Sequence, residues 1–232
     1  MLNWQVEPGL ALHQPKQLRD GAPFMLSEDI PTDSLTTIAS RLEDKGYIIL
    51  PQVLGETVNR SLLAYFHTLN SQEFRPATIG RQQEQTLNTT IRQDRICWLE
   101  RGPEALEAYF AWLETLRRML NQRLFLGLRE FECHYAFYPA GAFYQQHLDA
   151  FRGKPNRIVS SILYLNPDWK PQDGGELLLY AIDTDPQTGQ NILLEKILPE
   201  FGTMVLFLSE EFPHEVLPTK APRVSLTGWF RL

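Results

Sequence analysis

Arg223-Val-Ser-Leu-Thr-Gly-Trp-Phe230, close to the end of a 232-residue chain, alternates with a period of two. In an extended strand, side chains two apart share a face. Val224, Leu226 and Phe230 therefore fall together, with Gly228 between them, and Arg223, Ser225, Thr227 and Trp229 fall opposite. The apolar face belongs against a core of sheet and helices. The other face carries a cation, two hydroxyls and an indole. It is either a solvated edge or the lining of a polar cavity.

Further short β runs precede this strand: Phe131–Tyr138, Phe143–His147, Arg157–Leu165, Glu176–Ile182, Ile192–Leu198, Thr203–Leu208 and His214–Leu217. Turn residues separate them, including Pro139–Gly141, Gly153–Asn156, Asp173–Gly175, Asp185–Gly189, Glu200–Gly202 and Thr219–Pro222. The first half reads differently. Asp33 or Ser34 caps a helix with Leu35, Ile38, Ala39 and Leu42 on one face, ended by Gly46. Tyr47 to Leu50 is a strand stopped at Pro51, and residues 55–69 form a second amphipathic helix. Residues 71–90 are polar and lack a hydrophobic face, which predicts a long functional loop. Order returns at IRQDRICWL, and Pro103 opens a long helix running to near Gly127.

Helices first and strands afterward is an α+β pattern. The expected architecture is a sandwich or double-sheet jelly roll of about eight strands, with N-terminal and central helices packed on one sheet. The expectation for 1–232 is one domain: an irregular arm over 1–30, helical support over 31–130 with a loop at about 71–92, and the jelly-roll core over 131–232.

Composition narrows the function classes. A net charge of -6 argues against nucleic acid or an anionic membrane as a partner. Cys97 and Cys133 are far apart, outside any C-x-x-C pair, and read as reduced thiols of a cytoplasmic protein. No apolar stretch is long enough to span a bilayer, and the N-terminus lacks a signal-peptide pattern. Nothing suggests an obligate oligomer, so a monomer is expected.

In Tyr144-Gln-Gln-His-Leu-Asp149 the two-residue spacing projects His147 and Asp149 together. An imidazole beside a carboxylate supplies two ligands of a facial triad, which holds Fe(II) and leaves open positions for substrate and oxygen. His214 fits as the distant third ligand. H-x-D alone is a weak signal, since most such pairs are surface or structural. His13, His67 and His134 read as ordinary histidines. Arg223 follows His214 by nine residues across a turn. A hairpin there would carry the guanidinium just beyond the metal, where its fork suits the distal carboxylate of a dicarboxylate. Ile162 and Tyr164 share a face of the 157–165 run. The phenol suits the same carboxylate, although a core aromatic is an equal reading of Tyr164 alone.

Together these residues resemble the iron and 2-oxoglutarate oxygenases. Tyr138-Pro-Ala-Gly, Tyr144-x-x-His-x-Asp, Ser161-Ile-Leu-Tyr-Leu-Asn166, Asp168-Trp169, Gly174-Gly175-Glu-Leu, Pro213-His214-Glu-Val and Arg223-x-Ser-Leu-Thr-Gly-Trp229 follow the order of the prolyl hydroxylase branch. That branch includes the hypoxia-inducible-factor enzymes and bacterial relatives acting on elongation factor Tu. The resemblance implies a double-stranded β-helix. It implies Fe(II) on His147, Asp149 and His214, with 2-oxoglutarate and O2 as cosubstrates and ascorbate as a supporting reductant. It places Arg223 and Tyr164 on the distal carboxylate, with Tyr138, Thr227 and Ile162 nearby. It makes Asp94 and Arg157 a pair linking the finger loop to the barrel, with Tyr144 and Trp229 on the substrate side. The implied reaction is hydroxylation of a prolyl residue in a protein, possible target elongation factor Tu, giving hydroxyproline, succinate and CO2. The 183–191 hairpin tip is longer than the family pattern and the finger loop has its own sequence, so the substrate stays open. Rival readings are an oxygenase of a free amino acid or other small molecule, a non-catalytic jelly-roll binding module and, more weakly, a zinc hydrolase.

Overall fold

The computed structural model describes residues 32–77, 90–150 and 156–232. The expected arm over 1–30, His13 and most of the finger loop lie outside them, as do the side chains of the expected cap at Asp33 and Ser34. The first half folds as α1 (Thr32–Lys45), β1 (Tyr47–Leu50), α2 (Gly55–Thr68), β2 (Arg75–Pro76), β3 (Arg95–Trp98) and α3 (Glu104–Leu124). The strand-rich half follows as β4 (Glu130–Tyr138), β5 (Tyr144–His147), β6 (Arg157–Tyr164), β7 (Leu177–Thr184), β8 (Asn191–Ile197), β9 (Met204–Leu208), β10 (His214–Val216) and β11 (Arg223–Arg231). All eight β runs read from the sequence form strands, with ends shifted by one or two residues.

Among the described residues these strands make two antiparallel sheets. One has seven strands in the order β1-β9-β6-β11-β4-β3-β2, and the other has four in the order β5-β10-β7-β8. The eight jelly-roll strands thus divide evenly between the layers, and β1, β3 and β2 extend the larger sheet at its edges. β11 is central: it pairs with β4 along its whole length and with β6 on its other side.

The larger sheet has two apolar faces with different partners. Val159, Leu163, Leu206, Val224, Leu226 and Phe230 face the helices. They meet the buried stripe of α3, which is Leu106, Tyr109, Phe110, Leu113, Leu116 and Leu120. Burying each such side chain is worth about 1.5–3 kcal/mol, so this seam is a main source of stability. The Tyr135 hydroxyl donates to the Leu62 carbonyl at 2.7 Å and ties the sheet to α2. The opposite face, with Ala136, Tyr138, Ile162, Tyr164, Val205 and Phe207, looks into the space between the sheets.

Three local features differ from expectation. α3 ends three residues before Gly127, because Phe125 takes the left-handed conformation (φ 53°) and its N–H bonds the Asn121 carbonyl. The Asn121 side chain then clamps Leu128, accepting from its N–H at 2.7 Å and donating to its carbonyl at 2.8 Å. A side-chain clamp thus closes the end of the helix. Within the polar 71–90 stretch, Arg75–Pro76 forms a short strand on β3. Finally, β10 and β11 do not form a hairpin. β10 pairs with β5 and β7 in the smaller sheet, and residues 217–222 carry the chain across to the larger one.

Gly228 leaves no room on β11 for a side chain. A Cβ there would lie 2.5 Å from the Phe131 ring and 2.7 Å from both Cys133 Cβ and the Glu132 carbonyl. Overpacking of this kind costs about 1–3 kcal/mol. Gly228→Ala is therefore expected to lower the urea midpoint by that equivalent. An unchanged midpoint would show that the sheet opens without cost.

Candidate metal and cosubstrate site

β5 and β10 lie side by side with His147 opposite His214, and the chain turns from the end of β5 into Asp149. One ligand atom from each of His147, Asp149 and His214 lies within 4.8 Å of the others. The rings of the two histidines are 4.2 Å apart. His147 Nδ1 is 2.9 Å from the Gln145 carbonyl, and His214 Nδ1 is 2.9 Å from the Phe212 carbonyl. A carbonyl accepts only, so each Nδ1 carries the proton and each Nε2 keeps its lone pair for a metal. Phe207 packs its edge against His214 at 4.8 Å, and Tyr144 stacks on His147 at 3.6 Å.

The electrostatics suit a cation. Burial, then the neighbouring His214, push the His147 pKa down to about 3, which keeps the ring neutral. Burial would raise the Asp149 carboxyl, but His214, His147 and the hydroxyl of Ser160 outweigh it and hold it at about 2. Ser160 Oγ donates to Asp149 Oδ2 at 2.7 Å and lies 2.9 Å from Ser209 Oγ. Two imidazole Nε2 atoms and an oriented carboxylate are the donor set of an open facial iron site.

Arg223 lies on the inner face of the larger sheet, with Tyr138 and Tyr164. It is 1% exposed, and its Nε donates to the Gly175 carbonyl at 2.9 Å. Its guanidinium carbon stands 4.9 Å from the Tyr138 ring centre and 5.0 Å from that of Tyr164. Among the described residues no carboxylate pairs with it. The Tyr164 hydroxyl is buried beside the Arg223 guanidinium and makes no hydrogen bond of good geometry among the described residues. Burial pushes its pKa up to about 12, against the pull of Arg223, so it stays a phenol that can donate. A buried fork beside a phenol hydroxyl fits one end of a dicarboxylate. Gly175 makes the room: a Cβ there would sit 3.1 Å from Arg223 Cδ and 3.0 Å from Thr219 Cβ.

The other expected residues separate into two groups. Ile162 and Thr227 are paired across β6 and β11 on the cavity face, beside the residues above. Tyr144 and Trp229 flank the metal end. Asp94 and Arg157, expected as a pair, are not paired with each other. Asp94 is buried and takes a two-pronged bond from Arg92, two residues along the same segment, at 2.8 and 2.6 Å. Arg157 instead pairs with Glu132 at 2.9 Å and lies 3.5 Å over the Trp229 ring. Opposite charges in the sequence did not specify the partner, because β3 and β6 are separated by two strands.

Three residues escaped the sequence reading. Ser160 orients Asp149, and its place four residues before Tyr164 on the same face was a usable sign. Arg92 stands 4.2 Å over the Tyr144 ring and holds Asp94; the same-face spacing of Arg92 and Asp94 was visible. His134 was read as ordinary but sits on the cavity face.

Comparison with known proteins agrees with this geometry. The family model of the 2OG-Fe(II) oxygenase superfamily matches residues 133–231. A prolyl-4-hydroxylase from Pseudomonas putida is 41% identical, with a TM-score of 0.74, over 85% of this chain and 98% of that one. A prolyl hydroxylase from Trichoplax adhaerens, solved with a hypoxia inducible factor peptide fragment, is 29% identical, with a TM-score of 0.73, over 89% and 94%. Prolyl hydroxylase EGLN3 of Homo sapiens is 27% identical over 87% of this chain and 85% of its own length. With its ligand triad converging where the family uses Fe(II), 2-oxoglutarate and O2, this chain belongs to the 2OG-Fe(II) oxygenase superfamily, among the prolyl hydroxylases.

Proposed function

We propose that this oxygenase hydroxylates a prolyl residue of a protein, releasing succinate and CO2. The single observation behind the reading is the joint one: three ligand atoms within 4.8 Å and, on the facing sheet, a buried Arg223 beside Tyr164. The likeness to enzymes named as prolyl hydroxylases supplies the reaction class. When bound, iron and 2-oxoglutarate together activate O2 and supply the hydroxylating oxygen.

The chain's own residues have separable roles in this reading. His147, Asp149 and His214 hold the iron, and Ser160 keeps the carboxylate turned toward it. Arg223 and Tyr164 bind the distal carboxylate, with Tyr138 and Ile162 as walls and Thr227 beside them. Their burial keeps water from competing for the diacid. At the metal end, Tyr144, Trp229 and Arg157 receive the prolyl ring and its flanking chain. Arg92 and Asp94 hold the base of the finger-loop segment, which is laid along β5: the Gln145 N–H bonds the Ile91 carbonyl at 2.8 Å, and the Gln93 N–H bonds the Phe143 carbonyl at 3.0 Å. That attachment of the Ile91–Gln93 segment beside the site favours a protein substrate over a free amino acid.

The target we favour is a bacterial one, elongation factor Tu, with the enzyme working in the cytoplasm as a single-domain monomer and ascorbate supporting its iron. No described helix is long and apolar enough to cross a membrane. The deciding experiment supplies iron, 2-oxoglutarate and O2 with a bacterial lysate, or purified elongation factor Tu, and maps prolyl peptides gaining one oxygen by mass spectrometry. Oxygen gain only on free amino acids would overturn the protein-substrate reading.

Three variants test the machinery. Asp149→Ala is expected to lose bound iron and to cut succinate release by more than about 100-fold, since even an outer partner of a ligand is worth roughly 10–100-fold. Ser160→Ala should keep the fold and weaken metal affinity by about 10-fold, measured by competition with a chelator. Arg223→Lys should raise the KM for 2-oxoglutarate by about 10–100-fold, because an ammonium cannot reproduce the two-pronged bond. An unchanged KM would remove Arg223 from the cosubstrate.

A further inference from the structure

Among the described residues, His134 is a buried imidazole that makes no hydrogen bond. It lies on the cavity face of β4, on the rung shared with Thr227 of β11 and Trp98 of β3. It is 3% exposed, and its Nδ1 is buried without a hydrogen-bond partner. No hydrogen bond reaches its Nε2 among the described residues either. Its ring neighbours are indoles, Trp98 at 4.8 Å and Trp229 at 5.4 Å, which wall it in without meeting a ring nitrogen. Buried polar groups are nearly always bonded, and one left unbonded costs a desolvation penalty with no return. An imidazole kept this way points to a ligand that completes it.

Its position and charge state narrow the ligand. Ser160, which holds Asp149, pairs with Trp229 one rung further along β11, so His134 lies toward the metal end of the cavity. Arg223 lies four residues along β11 in the other direction, a strand distance of about 13 Å. The Tyr164 hydroxyl serves the Arg223 end. Burial, with Arg92 and Arg157 acting from the rim, keeps His134 uncharged. A neutral imidazole offers one N–H donor and one acceptor. A diacid whose far end is taken by Arg223 brings its second carboxylate toward the metal, where a donor is needed.

We infer that His134 is a cosubstrate-binding residue that donates a ring N–H to the keto-acid end of 2-oxoglutarate. The inference rests on the assignment of 2-oxoglutarate to this cavity. It extends that assignment to a residue outside the ligand triad and the distal-carboxylate pair.

The test is calorimetric titration of 2-oxoglutarate into iron-loaded protein without oxygen. His134→Leu should weaken cosubstrate affinity by about 10-fold, the loss expected for one hydrogen bond to a charged group. His134→Gln, which keeps an N–H donor, should recover most of it, and iron affinity should be the same in all three proteins. A folded Leu variant that binds 2-oxoglutarate within about twofold of wild type overturns the inference and leaves the cavity assignment standing. Wild type that fails to bind 2-oxoglutarate at all overturns both. Should the Leu variant not fold, the wild type still decides. In Zn(II)-loaded protein the ring-nitrogen resonances of His134, identified by their loss in His134→Gln, should move when 2-oxoglutarate is added. Resonances that stay fixed sink the idea.

Discussion

Two imidazoles facing one another across the β5–β10 pair are the arrangement on which the rest depends. At 4.2 Å between ring centres, two protonated rings would repel strongly in a buried setting. Burial, then the neighbouring ring, keep His147 neutral, and each Nδ1–H meets a backbone carbonyl two residues earlier, in Gln145 and Phe212. Those bonds fix the tautomers and turn both Nε2 lone pairs toward the Asp149 carboxylate. The triad is therefore an outcome of backbone geometry at the starts and ends of two short strands. It requires β5 and β10 to be neighbours in register, which the jelly-roll connection supplies.

The second requirement is a sheet that serves two media. β11 lies at the centre of the larger sheet and sends Val224, Leu226 and Phe230 into the helical core, while Arg223, Ser225 and Thr227 face the cavity. The helix-side packing, worth about 1.5–3 kcal/mol for each large apolar side chain, is what allows the cavity face to bury polar groups. Arg223, the Tyr164 hydroxyl, Ser160 and His134 would each be destabilising on a sheet with a single marginal core. Gly228, pressed against β4 with no space for a methyl group, shows how closely that supporting face is packed.

The fold was largely legible because it is written in local terms. Period-two alternation and turn residues located every jelly-roll strand, and helical periodicity located α1, α2 and α3. The iron ligands were legible for a related reason: His147 and Asp149 are two residues apart, and the motif around His214 opens a strand. What local reading missed depends on side-chain clamps or on pairings between distant strands. The end of α3 is set by Asn121 closing on Leu128. The path from His214 to Arg223 crosses between sheets, although nine residues containing Pro218, Thr219 and Pro222 resemble a hairpin. The expected Asp94–Arg157 link failed because charge sign carries no information on which strands lie between. Asp94 had a nearer partner in Arg92, and Arg157 had Glu132. His134 was passed over because no second ligand stands at metal spacing from it, and a bonding need that a cosubstrate answers leaves no pattern in the chain.

Charge balance joins these pieces. Among the described residues, the Asp149 carboxylate stands at the metal end of the cavity and the Arg223 guanidinium at the other, while the buried Asp94 is already matched by Arg92. A divalent ion on the triad would leave the metal end with one surplus positive charge, and Arg223 adds one at the far end. A dicarboxylate carries the two negative charges that offset them, and each of its ends then meets one cation across a medium where such attraction is strong. A third full positive charge inside would break that balance. An imidazole that burial keeps neutral gives a donor to the diacid without adding charge, which is why a histidine at position 134 suits this cavity and a lysine or arginine would not.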